Sequence, residues 1–198
     1  MPRKVSTSPF ESICPKKTGI DRKVLEQVIT LAIEIAREGR EGRKIGTLFT
    51  VCDSMAVLAR SKCLILDPLL GHPDQVKRVD DPDMRETIKE LAQLDGAFIV
   101  SEHGVVLSAC RYINASSDGI QLPLGLGSRH MAAASISKET NAIAVVVSES
   151  SLVRVFDHGE LVAEIIPELW MLSRYSLHLT KPYLKRTQDE LTILSKEE

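Results

Sequence analysis

The sequence predicts an α/β fold with α+β-like character: a central mixed β-sheet flanked by helices. Three patterns predict it. Strand-like runs alternate along the chain with segments of helical periodicity. Two pairs of these runs are joined by short turns, Glu102-His103-Gly104 and Asp157-His158-Gly159, so some neighbours must run antiparallel. The run Ala142-Ile143-Ala144-Val145-Val146-Val147 is apolar without alternation, which suits a strand buried on both faces.

The elements follow in order. Residues 1–20 are rich in Pro, Ser and Lys and read as a loose arm. Asp21 is a plausible helix cap. Val24, Leu25, Val28, Ile29, Ala32, Ile35 and Ala36 then keep helical spacing, and Gly39 and Gly42 end the helix. Gly46 to Cys52 is a strand of β-formers, and Ser61 to Leu66 a second, shorter one. Asp67 to Asp74 is a loop holding two prolines. Asp81-Pro82 opens a helix with Pro in its first turn, and Ile88, Leu91, Ala92 and Leu94 form its apolar stripe. Asp95 to Val100 and Val105 to Tyr112 make the first hairpin. A helix from about Arg129 to Thr140 precedes the central strand, and Leu152 to Phe156 with Glu160 to Ile165 makes the second hairpin. The segment from Pro167 reads as a helical tail interrupted by Pro182. The organisation expected is an arm (1–20), one domain (21–170) and a helical C-terminal tail (171–198).

Composition bounds the function. The 198 residues suffice for one core. A formal charge of −2 argues against a general nucleic-acid or membrane-surface binder, which needs a basic excess. Cys14, Cys52, Cys63 and Cys110 show no metal or redox spacing, and the last three, in apolar runs, read as buried free thiols suited to a reducing compartment. No apolar run reaches the roughly 18–20 residues of a membrane span, and no signal peptide is evident, so a cytoplasmic protein without an anchor is expected.

The chemistry concentrates in Gly125-Leu126-Gly127-Ser128-Arg129-His130. Flexible residues lead into a helix start, where unpaired N–H groups and the helix dipole favour an anion. Ser128 can cap the helix or bond a phosphate oxygen, and Arg129 adds a fixed fork of donors. A plain helix cap serves the same residues, and neither a dinucleotide fingerprint nor a G-x-x-x-x-G-K-[ST] loop is present. Asp95-Gly96-Ala97, at a strand start, is the second constellation. Asp there is commonly a turn residue, but beside a phosphate site it can hold a divalent cation or orient a hydroxyl.

Asp95-Gly96-Ala97, then Gly127-Ser128-Arg129-His130 about thirty residues later, then a strand ending in Ser148-Glu149, resembles the diadenylate cyclase domain. That domain is shared by the bacterial DNA-integrity scanning protein and membrane-bound cyclases, with soluble relatives in archaea. Its hallmarks are D-G-A and G-[ST]-R-H-R, and the resemblance spans roughly residues 40–165. It implies that two ATP condense to cyclic di-AMP and two pyrophosphates with Mg²⁺ or Mn²⁺. Each domain would hold one nucleotide, so two protomers must face each other in a dimer or larger homo-oligomer. By position, Asp95 would meet the metal and the 3′-OH, and Gly96 would admit the ligand or partner. Ala97 and Gly127 would line the nucleotide. Ser128 and Arg129 would bind phosphates, and His130 would place the pyrophosphate end. Ser148 and Glu149 would line the phosphate side. Arg111 and Tyr112 would hold the adenine, Tyr112 by stacking, although a strand-end core Tyr is an equal reading.

The chain departs from the family pattern at Met131, where the motif has a second arginine, and at Ser150, where some relatives carry an acid. The loss of a cation at Met131 motivates a rival reading, a non-catalytic module that binds ATP or cyclic di-AMP and regulates a partner. His103 and His158 precede Gly in turns and read as structural. Asp80, Asp81 and Asp83 read as helix N-terminal charge.

Overall fold

The computed structural model describes Phe10, Ile13, residues 19–167, and the backbone of residues 183–188 and 191–196. Helix α1 (Arg22–Glu38) starts at Asp21, whose carboxylate accepts the Lys23 N–H, and stops at Gly39 (φ 58°). It is followed by β1 (Thr47–Val51), α2 (Ser54–Ala59), β2 (Ser61–Cys63), a single 3₁₀ turn (Asp74–Val76) and α3 (Pro82–Leu91). Asp81 caps α3 by accepting the Met84 N–H, as the Asp-Pro pair predicts. Then come β3 (Ala97–Val100), β4 (Val106–Ile113), α4 (Ser128–Glu139), β5 (Ile143–Val147), β6 (Val153–Asp157) and β7 (Glu160–Ile165).

These strands form one seven-stranded sheet in the order β2-β4-β3-β1-β5-β6-β7. Only β1 and β3 run parallel; every other pair is antiparallel. The mixed sheet expected from the interleaved hairpins is present. Alternation along β1, β3 and β5 divides the core in two. Phe49, Phe98 and Val145 face α1 and α3, where Phe49 and Phe98 stack at 5.0 Å across the parallel pair. Leu48, Ile99 and Val146 face α2 and α4. The strand β5 is buried at all five residues, with helices on both faces.

Helix α4 buries small residues, Ala133, Ala134, Ser135 and Ser137, and so lies close on the sheet. Its serines are not idle. Ser135 Oγ accepts from the Ser116 N–H at 2.8 Å, and Ser137 Oγ from the Gly159 N–H at 3.1 Å. The helix thereby pins the 114–119 loop and the β6–β7 turn. In that turn His158 (φ 51°) and Gly159 (φ 84°) both take the left-handed conformation of a tight two-residue hairpin, the turn position expected for His158.

Several expectations need correction. Helix α2 is unforeseen; six residues carry little intrinsic helicity, and the Asn141 N–H fastens Asp53 at its start, a tertiary contact. The strand β2 ends at Cys63 rather than Leu66, and Cys63 is exposed because β2 is an edge strand. The loose arm is not loose at Phe10 and Ile13, which pack on the core through their apolar side chains. The tail is not helical over its described part: β8 (Tyr183–Gln188) pairs antiparallel with β9 (Leu191–Lys196) as a separate two-stranded sheet. Tyr183, Thr187, Thr192 and Ile193 are β-formers, and that preference prevails over the mixed periodicity. His178 and Cys14 lie outside the described residues. No described helix is long and apolar enough to cross a membrane.

Candidate functional site

Three segments meet at one end of the sheet: the start of β3, the N-terminus of α4 and the residues after β5. Arg129, in the first turn of α4, joins them. Its Nη2 lies 3.4 Å from Asp95 Oδ1, and its Nη1 lies 3.1 Å from Glu149 Oε1. Asp95 Oδ1 also accepts the Gly96 N–H at 2.9 Å. The three side chains remain open to solvent, Asp95 at 79% and Glu149 at 68%. Their remaining oxygens and N–H groups are free to meet a ligand.

Gly96 is required where it stands. Its φ is +112°, and a Cβ would lie 2.6 Å from the Cys110 carbonyl carbon. This close approach follows from a bulge. Between the pairs Ala97↔Arg111 and Ile99↔Ser108, strand β4 carries one extra residue, and Cys110 takes φ 55° to accommodate it. Asp67 holds the bulge, accepting the Ala109 N–H at 3.2 Å and the Ser108 hydroxyl. Burial raises the Cys110 thiol pKa, with the Asp67 carboxylate adding to the effect, so this thiol stays protonated.

Beyond the bulge a cleft of about 220 Å³ opens between β4 and α4. Leu48, Ala97, Ile113 and Met131 give it apolar walls; Asp95, Ser128 and Arg129 close its polar end. Tyr112 stands at its rim, exposed, with Lys62 Nζ 5.2 Å from its ring centre. The core reading of Tyr112 is therefore excluded. Arg111 lines the same cleft, but its guanidinium braces β2 and α2, donating to Ser61 O (3.0 Å), Ser61 Oγ and Leu58 O. Its donors are thus engaged within the chain rather than free for the base expected there. Gly127, not Ser128, is the N-cap of α4, and no side chain caps the helix. The Ser128 hydroxyl has no partner among the described residues, so both it and the first N–H groups of α4 are left for a ligand.

His130 is buried beside this end. Its Nε2 accepts from Arg154 Nη1 at 3.2 Å, which puts the ring proton on Nδ1. Arg154 on β6 is in turn paired with Glu164, its cross-strand neighbour on β7. Desolvation lowers the His130 pKa, and the Arg154 and Arg129 charges lower it further against a smaller opposing effect of Glu164. The imidazole is neutral, and its buried Nδ1 has no partner among the described residues. Ser148 is turned into a local bend, its hydroxyl 2.8 Å from that of Ser150.

The sequence reading did not include Gly46, whose role is steric. A Cβ there would lie 2.5 Å from Arg129 Nη1 and 3.2 Å from Glu149 Cγ. Nor did it include Asp67, Arg154 or Glu164, which act through register and through-space contact and leave no local motif.

The chemistry of this donor set suits a divalent cation shared with a ligand. Among the described residues no three His, Cys, Asp or Glu side chains gather to enclose a metal. Mg²⁺, however, is commonly held by one or two carboxylates with phosphate oxygens completing its shell, and the exposed Asp95 carboxylate offers that.

Residues 34–161 match the family described as DisA bacterial checkpoint controller nucleotide-binding. Over 159 residues, 80% of this chain, the sequence is 47% identical to a diadenylate cyclase of Methanocaldococcus jannaschii, of which the match covers 49%. It is 40% identical over 153 residues, 76% of this chain, to a diadenylate cyclase of Haloferax volcanii, of which 55% is covered. The chain thus spans about half the length of these curated relatives. A crystal structure of a hypothetical membrane-spanning protein from Bacillus cereus shares the fold, with a TM-score of 0.53 at 21% identity over 70% of this chain and 62% of that one. With the two motifs brought together on Arg129 and the match running from the end of α1 to the start of β7, the chain belongs to the DisA bacterial checkpoint controller nucleotide-binding family.

Proposed function

We propose that this chain is a diadenylate cyclase that condenses two ATP into cyclic di-AMP across a pair of facing protomers. One observation carries the reading: Asp95 and Arg129, 34 positions apart, meet at the polar end of an apolar cleft, against the open N-terminus of α4. An adenine fits the apolar part, stacked on Tyr112 between the Leu48 and Met131 walls. The α-phosphate then falls beside Ser128, the Gly127 and Ser128 backbone and Arg129, which offer hydrogen bonds and positive charge where charge develops. Asp95 orients the 3′-hydroxyl and accepts its proton; it is also the residue that would hold Mg²⁺ or Mn²⁺, and the cation would supply charge neutralisation on the phosphates. The neutral His130, steadied by Arg154, keeps the start of α4 in place, and Ser148 and Glu149 border the phosphates.

The cleft of roughly 220 Å³ is open to solvent and offers one adenine site, so a single chain supplies only half of the reacting pair. A second copy facing the first supplies the attacking hydroxyl and closes the site, which makes the assembly symmetric by construction. In each half, the 3′-oxygen of one nucleotide bonds to the α-phosphorus of the other. The bond from that phosphorus to the bridging oxygen breaks, and its electron pair leaves with pyrophosphate.

One observation favours the rival nucleotide-sensing module: Met131 lines the cleft where a second arginine would add charge. Mass-resolved chromatography of protein with ATP and Mn²⁺ or Mg²⁺ decides between them. Cyclic di-AMP formed at a rate rising faster than linearly with protein is expected. ATP bound but recovered unchanged would establish the sensing module instead.

A further inference from the structure

Arg129 is a wall between two clefts. On the side away from Tyr112 lies a second one of about 230 Å³, bordered by Arg43, Lys44, Gly46, Asp95, Arg129 and Glu149. Its far edge is a rigid turn. Arg40 and Arg43 exchange two backbone hydrogen bonds, 3.0 and 2.8 Å, around Glu41 (φ 49°) and Gly42 (φ 74°). This is the geometry of a tight two-residue hairpin. Gly39 seals the turn against α1, since a Cβ on it would lie 2.2 Å from the Arg43 carbonyl oxygen. Arg40 anchors the turn to α3 through Glu86 and Glu90, both at 3.0 Å. Arg43 and Lys44 are left exposed, and among the described residues neither side chain has a hydrogen-bond or ion-pair partner. Three carboxylates also border the cleft, Asp95 and Glu149 on Arg129 and Glu41 on the turn, but the two unpaired cations Arg43 and Lys44 on the braced turn give its far edge the donors for a compact, multiply charged anion that arrives with a divalent cation.

We propose that this second cleft holds the β- and γ-phosphates of the nucleotide, and the pyrophosphate that leaves, in the grip of Arg43 and Lys44. The inference rests on the nucleotide reading of the first cleft and extends it. The phosphate chain starts at Ser128, passes the exposed side of the Arg129 guanidinium, and ends at the turn. Because Arg129 and Glu149 close over Gly46, the chain crosses on the solvent side of the Arg129 guanidinium, which is 35% exposed. When the α-phosphorus bond to the bridging oxygen breaks, the departing pyrophosphate gains negative charge, and Arg43 and Lys44 stand where that charge goes. The Asp95 and Glu149 carboxylates in the shared wall suit the divalent cation that accompanies pyrophosphate. Cyclic di-AMP lacks β- and γ-phosphates and makes no use of this cleft.

That difference supplies the test. Calorimetric titration of the full chain with Mg²⁺ present would compare inorganic pyrophosphate, 3′-deoxy-ATP (which cannot cyclise) and cyclic di-AMP. The wild type is set against Arg43→Gln/Lys44→Gln, with circular dichroism to verify the fold. The double variant should bind pyrophosphate and 3′-deoxy-ATP at least about tenfold more weakly, and cyclic di-AMP within about twofold of wild type. Equal pyrophosphate affinity in both proteins would overturn the proposal while leaving the nucleotide reading intact. A uniform weakening that includes cyclic di-AMP would overturn it too, because the two cations would then act on the first cleft. A wild type that binds neither 3′-deoxy-ATP nor cyclic di-AMP would remove the nucleotide reading, and this inference with it.

Discussion

Arg129 and Lys89 each bridge several carboxylates, yet they do opposite work. Lys89 lies between α1 and α3, only 10% exposed, with Glu86 at 2.8 Å, Glu38 at 3.2 Å and Glu34 at 3.3 Å. Burial alone would lower its pKa, but the three carboxylates outweigh that and raise it. Arg85 closes the group by donating to Glu34 at 2.8 Å. The cation of this network is buried and has all three of its donors engaged, so it tells the two helices how to pack. Arg129 is 35% exposed, holds its carboxylates at 3.1 and 3.4 Å, and sits where α4 leaves its own N–H groups unpaired. Saturation marks a structural ion cluster; spare hydrogen-bonding capacity beside a cleft marks a place for a ligand.

Four experiments can break or sharpen this contrast. The largest effect should come from Asp95→Asn, which keeps shape and removes charge. Cyclase activity should fall about 10³-fold, the scale of losing a proton acceptor, with the urea midpoint almost unchanged because the side chain is exposed. Full activity would remove Asp95 from the chemistry. Next, Gly46→Ala should push the Arg129 guanidinium aside. Gly46 has an ordinary φ, so the fold should persist, while turnover falls about 10²-fold as expected for a misplacement near 1 Å. Steady-state kinetics and thermal unfolding, measured together, separate the two effects.

Lys89→Met should do the reverse. It removes the buried cation that Glu34, Glu38 and Glu86 share, while Arg85 stays on Glu34 and Arg40 on Glu86, and stability should drop by about 1 kcal/mol, lowering Tm by roughly 2–4 °C. Turnover below the new Tm should stay within about twofold of wild type. A large loss of turnover without a Tm change would reverse the assignment of the two clusters.

The smallest effect concerns pH. His130 has a folded-state pKa below its unfolded value near 6.5, first through burial, then through Arg154 and Arg129. Below that value the unfolded chain binds the proton more readily, so stability is complete above it and declines as pH falls toward the folded pKa. The decline can be at most about 1.4 kcal/mol per pH unit. Urea midpoints from pH 7.5 to 5 should fall more steeply for wild type than for His130→Gln. Parallel curves would mean that the imidazole is not held neutral.

Much of the fold could be read directly, and particular residues show why. Asp21 and Asp81-Pro82 mark helix starts, the unbroken run at 142–147 marks a strand covered on both sides, and His158-Gly159 marks a tight turn. Each is a local preference that the tertiary environment reinforces. Helix α2 and the β8–β9 pair were illegible because short segments have weak or mixed local signals and take their state from partners. The clustering of Asp95 with Arg129 and Glu149 was legible only through resemblance to a family, because nothing local ties a strand start to a helix 34 positions away.

Alone, the sequence determined the types of the longer elements from α1 to β7, the mixed sheet and the two motifs, since these depend on periodicity, caps and residue chemistry within a few positions. Only the tertiary structure decided what those residues touch. The β4 bulge brings Cys110 against Gly96, the β6–β7 register sets Glu164 on Arg154 and Arg154 on His130, and Gly46 passes beneath Arg129. Register, close approach and shared burial are properties of packed surfaces, and no stretch of chain contains both of the surfaces that meet.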